Sequence, residues 1–306
     1  MSAPEQIAGG PLAAPGAVAR GAGSRRGAER RELIGLLLHS PTFVIGMLVI
    51  IFWVICGVFG DAITPYRHDQ IVIDGGNLLD PAFRPSWSHP FGLDTLGRDV
   101  FSRVLAGAGP ILAVAPLATL IGVVSGSVLG LITGYFGGAV DNAVSRLIDS
   151  VLALPLIIIA VGVLQSTGTS SLSLAFVIGF VFTPIVARTV RSAVLSERNL
   201  DYVQAAKLRG ERAPYIMFAE ILPNVMGPIV VETPVRLGYA VFALVTLAFL
   251  GFGEVDPSPD WGVQIAVHYS YIEQAWWTVL WPAIAIATLV VALNLVADSV
   301  QQTVDN

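Results

Sequence analysis

Two long stretches of the chain carry no charged residue, and they limit what it can fold into. The first lies between Arg103 and Asp141, and the second lies between Asp149 and Arg188. A transmembrane helix needs about 20 consecutive, mostly apolar residues, so each stretch is long enough to cross a bilayer. Hydrophobic residues make up 54% of the chain and charged residues only 13%, which is typical of an integral membrane protein.

Six membrane-spanning helices account for the apolar runs. The first charge-free stretch contributes one helix, and the polar turn at residues 165–171 divides the second stretch into two. Three other apolar runs contribute one helix each. The predicted helices cover approximately residues 42–60, 112–136, 150–164, 172–190, 224–249 and 277–297. The predicted fold class is therefore an all-α, polytopic membrane protein with both chain ends on one side.

Basic residues are unevenly divided between the two sides of this predicted bundle. One side carries twelve of them, in an N-terminal tail, in a turn at residues 141–149 and in a central loop: Arg20, Arg25, Arg26, Arg30, Arg31, Arg146, Arg188, Arg191, Arg198, Lys207, Arg209 and Arg212. The opposite side carries only four: Arg67, Arg84, Arg98 and Arg103. Because basic residues are enriched in cytoplasmic loops of membrane proteins, the tail and the central loop are predicted to be cytoplasmic.

The composition and the apolar runs divide the chain into three regions. Residues 1–32 are rich in Gly, Ala and Pro with few large apolar side chains, which predicts a disordered cytoplasmic tail. Residues 33–104 are predicted to hold a first membrane helix, with no cleavage site close behind it, and a long external loop. Residues 105–300 are predicted to form a core of five membrane helices with a structured cytoplasmic loop at residues 191–223.

The charged residues argue against two classes of function. The formal net charge is −5 and the basic residues form no dense stripe, so nucleic-acid binding is not indicated. Lys207 is the only lysine and is followed by Leu208, whereas a phosphate-binding P-loop needs Gly-Lys followed by Ser or Thr. If the protein depends on ATP, hydrolysis is therefore expected on another subunit.

Disulfide, metal and hydrolase chemistry are not predicted either. Cys56 is the only cysteine and lies within an apolar run, so a buried, inert thiol is expected. The four histidines lack the spacing of metal ligands: His39, His68, His89 and His268. No histidine falls inside a predicted span and no Gly-x-Ser-x-Gly string occurs, which argues against an intramembrane hydrolase.

Within the central loop, the segment at residues 201–223 is polar, basic and compatible with helix. Ala205 and Ala206 have small side chains, so the surface of another protein could approach the backbone there closely. Gly210 permits the positive backbone dihedral that ends a helix, and Pro223 is suited to the first turn of the next one. A structured loop between membrane helices indicates a soluble partner.

Five glycines recur at every fourth position of the second predicted helix. They are Gly122, Gly126, Gly130, Gly134 and Gly138. On a helix this spacing forms a continuous groove, where another helix can approach closely. The pattern does not distinguish a contact within the chain from one with a partner membrane protein.

The long external loop ends in a charged segment at residues 92–99. Asp94 or Thr95 is predicted to cap a short helix, and Asp99 to pair with Arg103 one turn later.

Two polar residues interrupt the fifth predicted helix. Glu232 and Arg236 either line a translocation path or form a local pair four residues apart, near the distorting Pro234. Near the sixth helix, three tryptophans are predicted to form an interfacial aromatic belt: Trp276, Trp277 and Trp281.

Three segments, in order along the chain, resemble permeases of ATP-binding-cassette importers. The string Gly92-x-Asp94-x-x-Gly97-Arg98-Asp99 resembles the segment before the second helix of peptide-importer permeases. Residues 257–262 (Pro-Ser-Pro-Asp-Trp-Gly), after Phe-Leu-Gly-Phe-Gly at residues 249–253, resemble that family's last external loop.

The central loop carries the third resemblance. Gln204-Ala205-Ala206, Gly210 and Leu222-Pro223 are similar to the signature loop of these permeases, although Gln204 replaces the usual Glu and Glu220 stands where Ile is often found. The match is closest to the second ("C") permease subunit of dipeptide and oligopeptide importers. It covers nearly the whole chain after the tail.

The resemblance implies an ABC type I importer permease bundle in the bacterial cytoplasmic membrane. The signature loop would form a coupling helix on the ATPase through Tyr202, Gln204, Ala205, Ala206, Leu208 and Gly210. The external loops would face a solute-binding protein through Asp94, Arg98, Asp99 and Trp261. The implied partners are a homologous second permease, two ATPase subunits and the external solute-binding protein. ATP and Mg²⁺ would bind to the ATPase subunits, and no cofactor to this chain.

Alternative functions remain open at this stage. Within the same class, the substrate could be nickel, glutathione or haem in place of di- or oligopeptides. Outside it, a membrane scaffold without a transport role would leave the ordered external segments unexplained.

Overall fold

The computed structural model describes residue 35 and residues 37–74 and 78–305, so the predicted tail at residues 1–32 lies outside the described residues. Within these ranges the regular structure is helical, apart from two isolated β-bridges that join Ile71 to Arg98 and Leu93 to Asp99. The prediction of an all-α fold is confirmed.

The helices are labelled in chain order. They are α1 (Pro41–Ile63), α2 (Val100–Ala106), α3 (Ala108–Phe136), α4 (Gly138–Leu152), α5 (Leu156–Thr167), α6 (Ser171–Glu197), α7 (Asp201–Leu208), α8 (Ala213–Tyr215), α9 (Met226–Leu247), α10 (Trp261–His268) and α11 (Trp277–Asp305). The π-helical turns Ile216–Ile221 and Ala248–Phe252 continue α8 and α9, and short 3-10 turns cover Pro81–Phe83 and Tyr269–Tyr271.

Five segments of the described chain are long and apolar enough to cross a membrane. They are Pro41–Ile63, Val100–Phe136, Ser171–Glu197, Met226–Phe252 and Trp277–Thr303. The pair of α4 and α5, bent by 88°, makes a sixth if it counts as one span.

The third predicted helix differs from the prediction. Residues 150–164 do not form one helix, because α4 ends at Leu152 and α5 begins at Leu156. The predicted turn at residues 141–149 is part of α4. Pro155 explains the break, since proline has no amide hydrogen to donate and disfavours helical geometry in the residue before it.

Glycines allow α3 to lie directly against α6. A Cβ atom at Gly126 would lie 2.6 Å from Val186 Cβ and 2.8 Å from Thr183 O. A Cβ atom at Gly130 would lie 2.7 Å from Ala187 O. Since neighbouring atoms would have to move, only glycine fits at these positions. Gly122 and Gly134 make equally close approaches to α6.

The last glycine of the stripe differs from the other four. Gly138 has a φ of 55°, and apart from its chain neighbours and its own helix backbone, no atom of the described residues lies within 4 Å of the position that a Cβ atom would take there. It begins α4, and no close approach to α6 requires glycine there. In the described chain, the stripe as far as Gly134 serves packing between two helices of the same chain.

Loops gather on two opposite sides of the bundle. The central-loop side carries residues 198–225, between α6 and α9. The first-loop side carries residues 64–74 and 78–99, between α1 and α2, and residues 253–276, between α9 and α11.

Two of the three tryptophans predicted for an aromatic belt hold the first loop. Trp277 is buried, and its Nε1 donates a hydrogen bond to Leu93 O at 3.0 Å. Phe91 stacks on Trp281, with ring centroids 3.9 Å apart. Trp276 remains about half exposed. The belt prediction therefore needs correction, because Trp277 fills the interior and does not lie at a lipid boundary.

Candidate functional site

The central loop begins with the short helix α7. Asp201 in its first turn and Lys207 in its last turn carry the charges that complement the helix dipole. Gly210 follows with a φ of 78°, which glycine adopts without the steric cost that a side chain would add. This glycine turns the chain towards α8, as the sequence predicts.

The two faces of α7 have different surroundings. Val203 and Ala206 are fully buried, whereas Ala205 is exposed and Leu208 is 90% exposed. The buried residues belong to a group that we call the central-loop cluster: Val123, Leu131, Val186, Val190, Val194, Val203, Ala206, Ile216, Ile221, Val225 and Ile229. This cluster connects α7 to α3, to α6 and to the start of α9.

Two hydrogen bonds also attach α7 to the end of α6. The Tyr202 hydroxyl donates to Glu197 Oε2 at 2.7 Å, and Gln204 Nε2 donates to Arg198 O at 3.3 Å. Burial, together with the hydrogen bond to the Glu197 carboxylate, raises the pKa of Tyr202 to about 12. The tyrosine therefore stays protonated and remains a donor.

Glu220, which departs from the family pattern, has a partner across the loop. Arg209 Nη2 donates to Glu220 Oε1 at 3.0 Å, and Arg209 Nε lies 3.9 Å from Glu211 Oε1. The arginine thus joins the end of α7 to the π-helical turn that precedes α9.

The structure corrects two details of the predicted loop. Ala206 lies in the central-loop cluster and not on the outer surface, so its small size serves packing within the chain. Pro223 lies in a turn, and α9 begins three residues later at Met226. Of the other predicted coupling residues, Tyr202 is half-buried, and the rest are exposed: Gln204, Ala205, Leu208 and Gly210.

An ion-pair cluster lies on the first-loop side. It consists of Asp94, Arg98, Arg103 and Asp256, of which only Asp256 is partly exposed. Asp94 Oδ1 accepts the backbone N–H groups of Leu96 and Arg98, both at 2.9 Å. Arg98 then donates through Nε to Asp94 Oδ2 at 2.7 Å and through Nη1 to Asp256 Oδ2 at 3.0 Å. The cluster connects the first loop to the loop after α9.

Arg103 extends the same connection. Its Nη1 donates to His68 O at 2.9 Å and to Pro257 O at 3.2 Å. Its Nη2 donates to Ser258 O at 3.0 Å and to Asp256 Oδ1 at 3.4 Å. One buried guanidinium therefore satisfies acceptors from separate segments of the chain.

The cap of α2 differs from the prediction. Asp99, and neither Asp94 nor Thr95, caps the helix by accepting the Ser102 backbone N–H at 2.8 Å. The second oxygen of Asp99 lies 3.0 Å from His89 Nδ1. Because both oxygens of Asp99 are engaged in this way, the predicted pair with Arg103 does not form. Arg103 instead donates a hydrogen bond to Asp256.

Trp261 closes the arrangement from α10. It is completely buried, and its Nε1 donates to Val104 O at 2.7 Å. Asp260 caps α10 through the backbone N–H groups of Gly262 and Val263, and burial raises the pKa of this aspartate above its usual range. Gln264 Nε2 donates to Pro259 O at 2.6 Å.

His268 lies beside the ion-pair cluster as a neutral ring. Its Nδ1 is 2.6 Å from Gln264 O, and because a carbonyl can only accept, this nitrogen carries the hydrogen. Its Nε2 therefore accepts from the Thr95 hydroxyl at 3.2 Å. Burial lowers the pKa of His268, which agrees with the neutral form.

Four residues predicted to face a solute-binding protein thus lie inside the protein. Asp94, Arg98, Asp99 and Trp261 are buried, so in this conformation they support the loops and are not available on the surface.

Comparison with known proteins identifies the family. The family of binding-protein-dependent transport system inner membrane components matches residues 126–306, which is more than half of the chain. The chain belongs to this family. It is therefore a multi-pass inner membrane protein and the permease subunit of an ATP-binding-cassette transporter, a class of subunit that is not itself catalytic.

Relatives of the permease are similar along most of their length. The dipeptide transport system permease protein DppC of Alkalihalophilus pseudofirmus is 33% identical over 275 residues, which cover 90% of this chain and 89% of the relative. The di/tripeptide permease DppC of Pseudomonas aeruginosa is 33% identical, covering 87% and 88%. The glutathione permease GsiD of Pectobacterium atrosepticum is 32% identical, covering 86% and 84%.

Glu232 and Arg236 of the permease pair with each other inside α9. Arg236 Nη2 lies 2.6 Å from Glu232 Oε1, and the guanidinium lies over the Tyr239 ring at 5.2 Å. Both charged side chains are largely buried. Of the two alternatives from the sequence, this geometry is that of a local pair four residues apart. That the pair also lines the translocation path stays a prediction.

Three important residues of the permease were not singled out from the sequence. Asp256, Gln264 and His268 are separated along the chain from their partners in the first loop and in α2, so spacing carries no signal for them. In the described part of the chain, no three His, Cys, Asp or Glu side chains are grouped as a metal site would require.

Proposed function

We propose that this permease forms the translocation path of an ATP-driven importer for di- or oligopeptides. It would work with a homologous second permease, two ATPase subunits that bind ATP and Mg²⁺, and an external solute-binding protein. The observation that carries the proposal is the division of α7 into a buried face and an exposed face. An isolated helix of eight residues is unstable in water, so α7 depends on its buried face for stability. Its exposed face is then available to a partner protein.

The charge distribution supports the orientation of the permease. The central-loop side carries most of the basic residues, which favours a cytoplasmic position for this side and for both chain ends. The first-loop side, with the ion-pair cluster, would then face outwards.

The central-loop cluster offers a route for the coupling of ATP binding to transport. The exposed face of α7, with Ala205 and Leu208, would sit in a groove of the ATPase. When ATP closes the ATPase dimer, α7 would move, and the buried Val203 and Ala206 would carry that displacement to α6 and α9. Close-packed interiors transmit such displacements because they have few voids to absorb them.

The relatives support peptides as the substrate class, since those of Alkalihalophilus pseudofirmus and Pseudomonas aeruginosa are named for dipeptides and di/tripeptides. Glutathione is the second candidate, because the permease GsiD of Pectobacterium atrosepticum is named for it and is nearly as similar. Uptake of a labelled dipeptide and of labelled glutathione by a deletion strain, with and without this chain, separates the two. No loss of either uptake in the deletion strain would favour a scaffold.

A first prediction concerns the exposed face of α7. We expect Leu208→Asp to reduce recovery of the ATPase with the tagged permease by about tenfold or more, because an aspartate without a partner would be desolvated at the contact, at a cost of several kcal/mol. Ala205→Trp is expected to act in the same way, because the added ring would hold the two surfaces apart. Both side chains are exposed, so the variant permease should remain folded. Affinity purification from mild detergent measures the effect.

The matched control is Trp87→Asp on the opposite side of the membrane. Trp87 is a fully exposed apolar residue, and its change to aspartate is expected to leave the ATPase bound. Equal recovery of the ATPase with Leu208→Asp and with the wild type would contradict the assignment of α7. Ala206→Trp is unsuitable as a test, because it would disturb the central-loop cluster.

A second prediction concerns the Glu232–Arg236 pair. Each single change to glutamine is expected to lower the free energy of unfolding by roughly 1–3 kcal/mol, because it leaves the other charge without its partner. The double change to glutamine should restore most of the free energy of unfolding, because neither charge is then left alone. If the pair lines the path and binds the charged ends of the peptide, the double change should also reduce uptake. Thermal unfolding in detergent and dipeptide uptake measure the two effects. Normal uptake by a normally folded double variant would remove the pair from the path.

A further inference from the structure

Asn294 is a polar residue deep inside a membrane span. It belongs to the span Trp277–Thr303 in α11. Its depth follows from a contact with α9, because a Cβ atom at Gly238 would lie 3.6 Å from Asn294 Oδ1. Gly238 is in the middle of the span Met226–Phe252. The Asn294 amide is therefore close to the middle of the membrane.

The amide of Asn294 has no partner in the described part of the chain. The side chain is exposed, and it forms no hydrogen bond with another described residue. A primary amide carries two donor hydrogens and an acceptor oxygen, and placing such a group in hydrocarbon without partners costs several kcal/mol. Polar side chains within spans accordingly face other protein groups or a water-filled cavity. We therefore expect Asn294 to face a polar surface and not lipid.

A cavity of about 330 Å³ lies beside Asn294, between α9 and α11. We call it the midspan cavity. Sites for small molecules have volumes of roughly 300–1,000 Å³, so the midspan cavity is large enough for a ligand of that class. Its lining residues are Val235, Gly238, Tyr239, Phe242, Val290 and Asn294.

The lining of the midspan cavity combines aromatic rings with neutral polar groups. Tyr239 is 56% exposed and Phe242 61%, so both rings are accessible. The Tyr239 hydroxyl, like the Asn294 amide, forms no hydrogen bond with a described residue. The Arg236 guanidinium lies over the Tyr239 ring at 5.2 Å but does not line the cavity. The lining therefore suits an uncharged group that can both donate and accept hydrogen bonds and that carries an apolar side chain.

A peptide bond with its side chain has this chemistry. Its N–H can donate to Asn294 Oδ1 and its carbonyl can accept from Asn294 Nδ2, so the two amides pair reciprocally. We propose that the midspan cavity binds the amide group and one uncharged side chain of the transported peptide, with Asn294 as the hydrogen-bonding residue. The permease would then contribute to substrate selection itself. The proposal rests on the transport function proposed above.

The first test measures access of water and peptide to Asn294, with the whole transporter in lipid nanodiscs. Cys56 is the only cysteine and is 1% exposed, so the wild-type chain gives the baseline for thiol labelling. We expect Asn294→Cys to react with a charged methanethiosulfonate reagent, and saturating alanyl-phenylalanine to slow that reaction severalfold. The matched control is Leu48→Cys, since Leu48 is 61% exposed in another span, Pro41–Ile63, and does not line the cavity. It should stay at the baseline, because a charged reagent does not enter lipid.

The second test measures dipeptide uptake by a deletion strain that carries variants of this chain. Asn294→Leu keeps the approximate size of the side chain but removes its hydrogen bonds. We expect it to reduce uptake by roughly three- to tenfold, the loss that corresponds to one hydrogen bond, with normal recovery of the second permease and the ATPase. Thr246→Val is the control, because the Thr246 hydroxyl already donates to Phe242 O within α9. Its uptake should equal that of the wild type.

The outcomes separate this proposal from the function on which it rests. Baseline labelling of Asn294→Cys, labelling that the dipeptide does not slow, or normal uptake by Asn294→Leu would each overturn the site. Loss of the second permease from Asn294→Leu would overturn it too, since Asn294 would then be a contact between permeases. The transport function stands in all these cases if the wild-type chain supports uptake. If the wild-type chain supports none, the proposed function fails and the site fails with it.

Discussion

Replacing Arg103 with methionine is expected to destabilise the permease by about 3–5 kcal/mol, which is the usual cost of removing one partner from a buried ion pair. Methionine fills a similar space but donates no hydrogen bond. Asp256 would lose part of its compensation, and the carbonyl oxygens of His68, Pro257 and Ser258 would lose their donor. We expect little folded protein at growth temperature. Size-exclusion chromatography of a fluorescent fusion after heating measures the loss.

The control for this change is Arg67→Met in the first loop, on the same side of the bundle. Arg67 pairs with Asp69 at 3.2 Å, but its side chain is mostly exposed. Exposed ion pairs contribute only about 0–1 kcal/mol, so this variant should unfold close to the wild-type temperature. Equal stability of Arg103→Met and Arg67→Met would mean that the cluster does not hold the two loops together.

Replacing Gly126 with leucine is expected to separate α3 from α6 and to abolish assembly of the transporter. Even a single Cβ atom would lie 2.6 Å from Val186 Cβ and 2.8 Å from the backbone oxygen of Thr183. Overpacking of a core by smaller changes already costs about 1–3 kcal/mol, and backbone atoms cannot move away as a flexible side chain would. Gly126→Ala should therefore lower the unfolding temperature and the recovery of the second permease, and Gly126→Leu should lower both further.

Gly162→Leu provides the matched control for the helix contact. Gly162 also lies inside a helix, α5, but apart from its chain neighbours and its own helix backbone, no atom of the described residues lies within 4 Å of where its Cβ atom would be. The substitution should be neutral, or slightly stabilising, because leucine favours helix more than glycine does. If Gly126→Leu were tolerated as well as Gly162→Leu, folding and assembly would not depend on the close approach of α3 to α6.

Several features could be predicted from the sequence because the bilayer leaves few choices. A charge-free run of sufficient length must become a helix there, since every backbone polar group has to be satisfied within the segment. For that reason the spans from Pro41, Ser171 and Trp277 agree with the predicted runs. The positive φ of Gly210 was predictable for a similar reason, because few residues other than glycine end a helix in that way.

Other features depend on partners that are far apart in the sequence. Asp256 meets Arg98 and Arg103 across more than 150 positions, and nothing in local spacing indicates which carboxylate an arginine will choose. The predicted pair of Asp99 with Arg103 was reasonable for an isolated helix. It was wrong because Asp99 is used by the helix cap and by His89.

The sequence by itself determined that this protein is an all-helical membrane protein, because the cost of unsatisfied backbone groups in lipid permits little else. It also indicated the central loop as the place for a partner. The tertiary structure alone decided which side chains of that loop are available. Ala205 and Ala206 are adjacent and chemically identical, yet one is exposed and the other is buried, because successive residues of a helix point about 100° apart and only one of them meets the central-loop cluster.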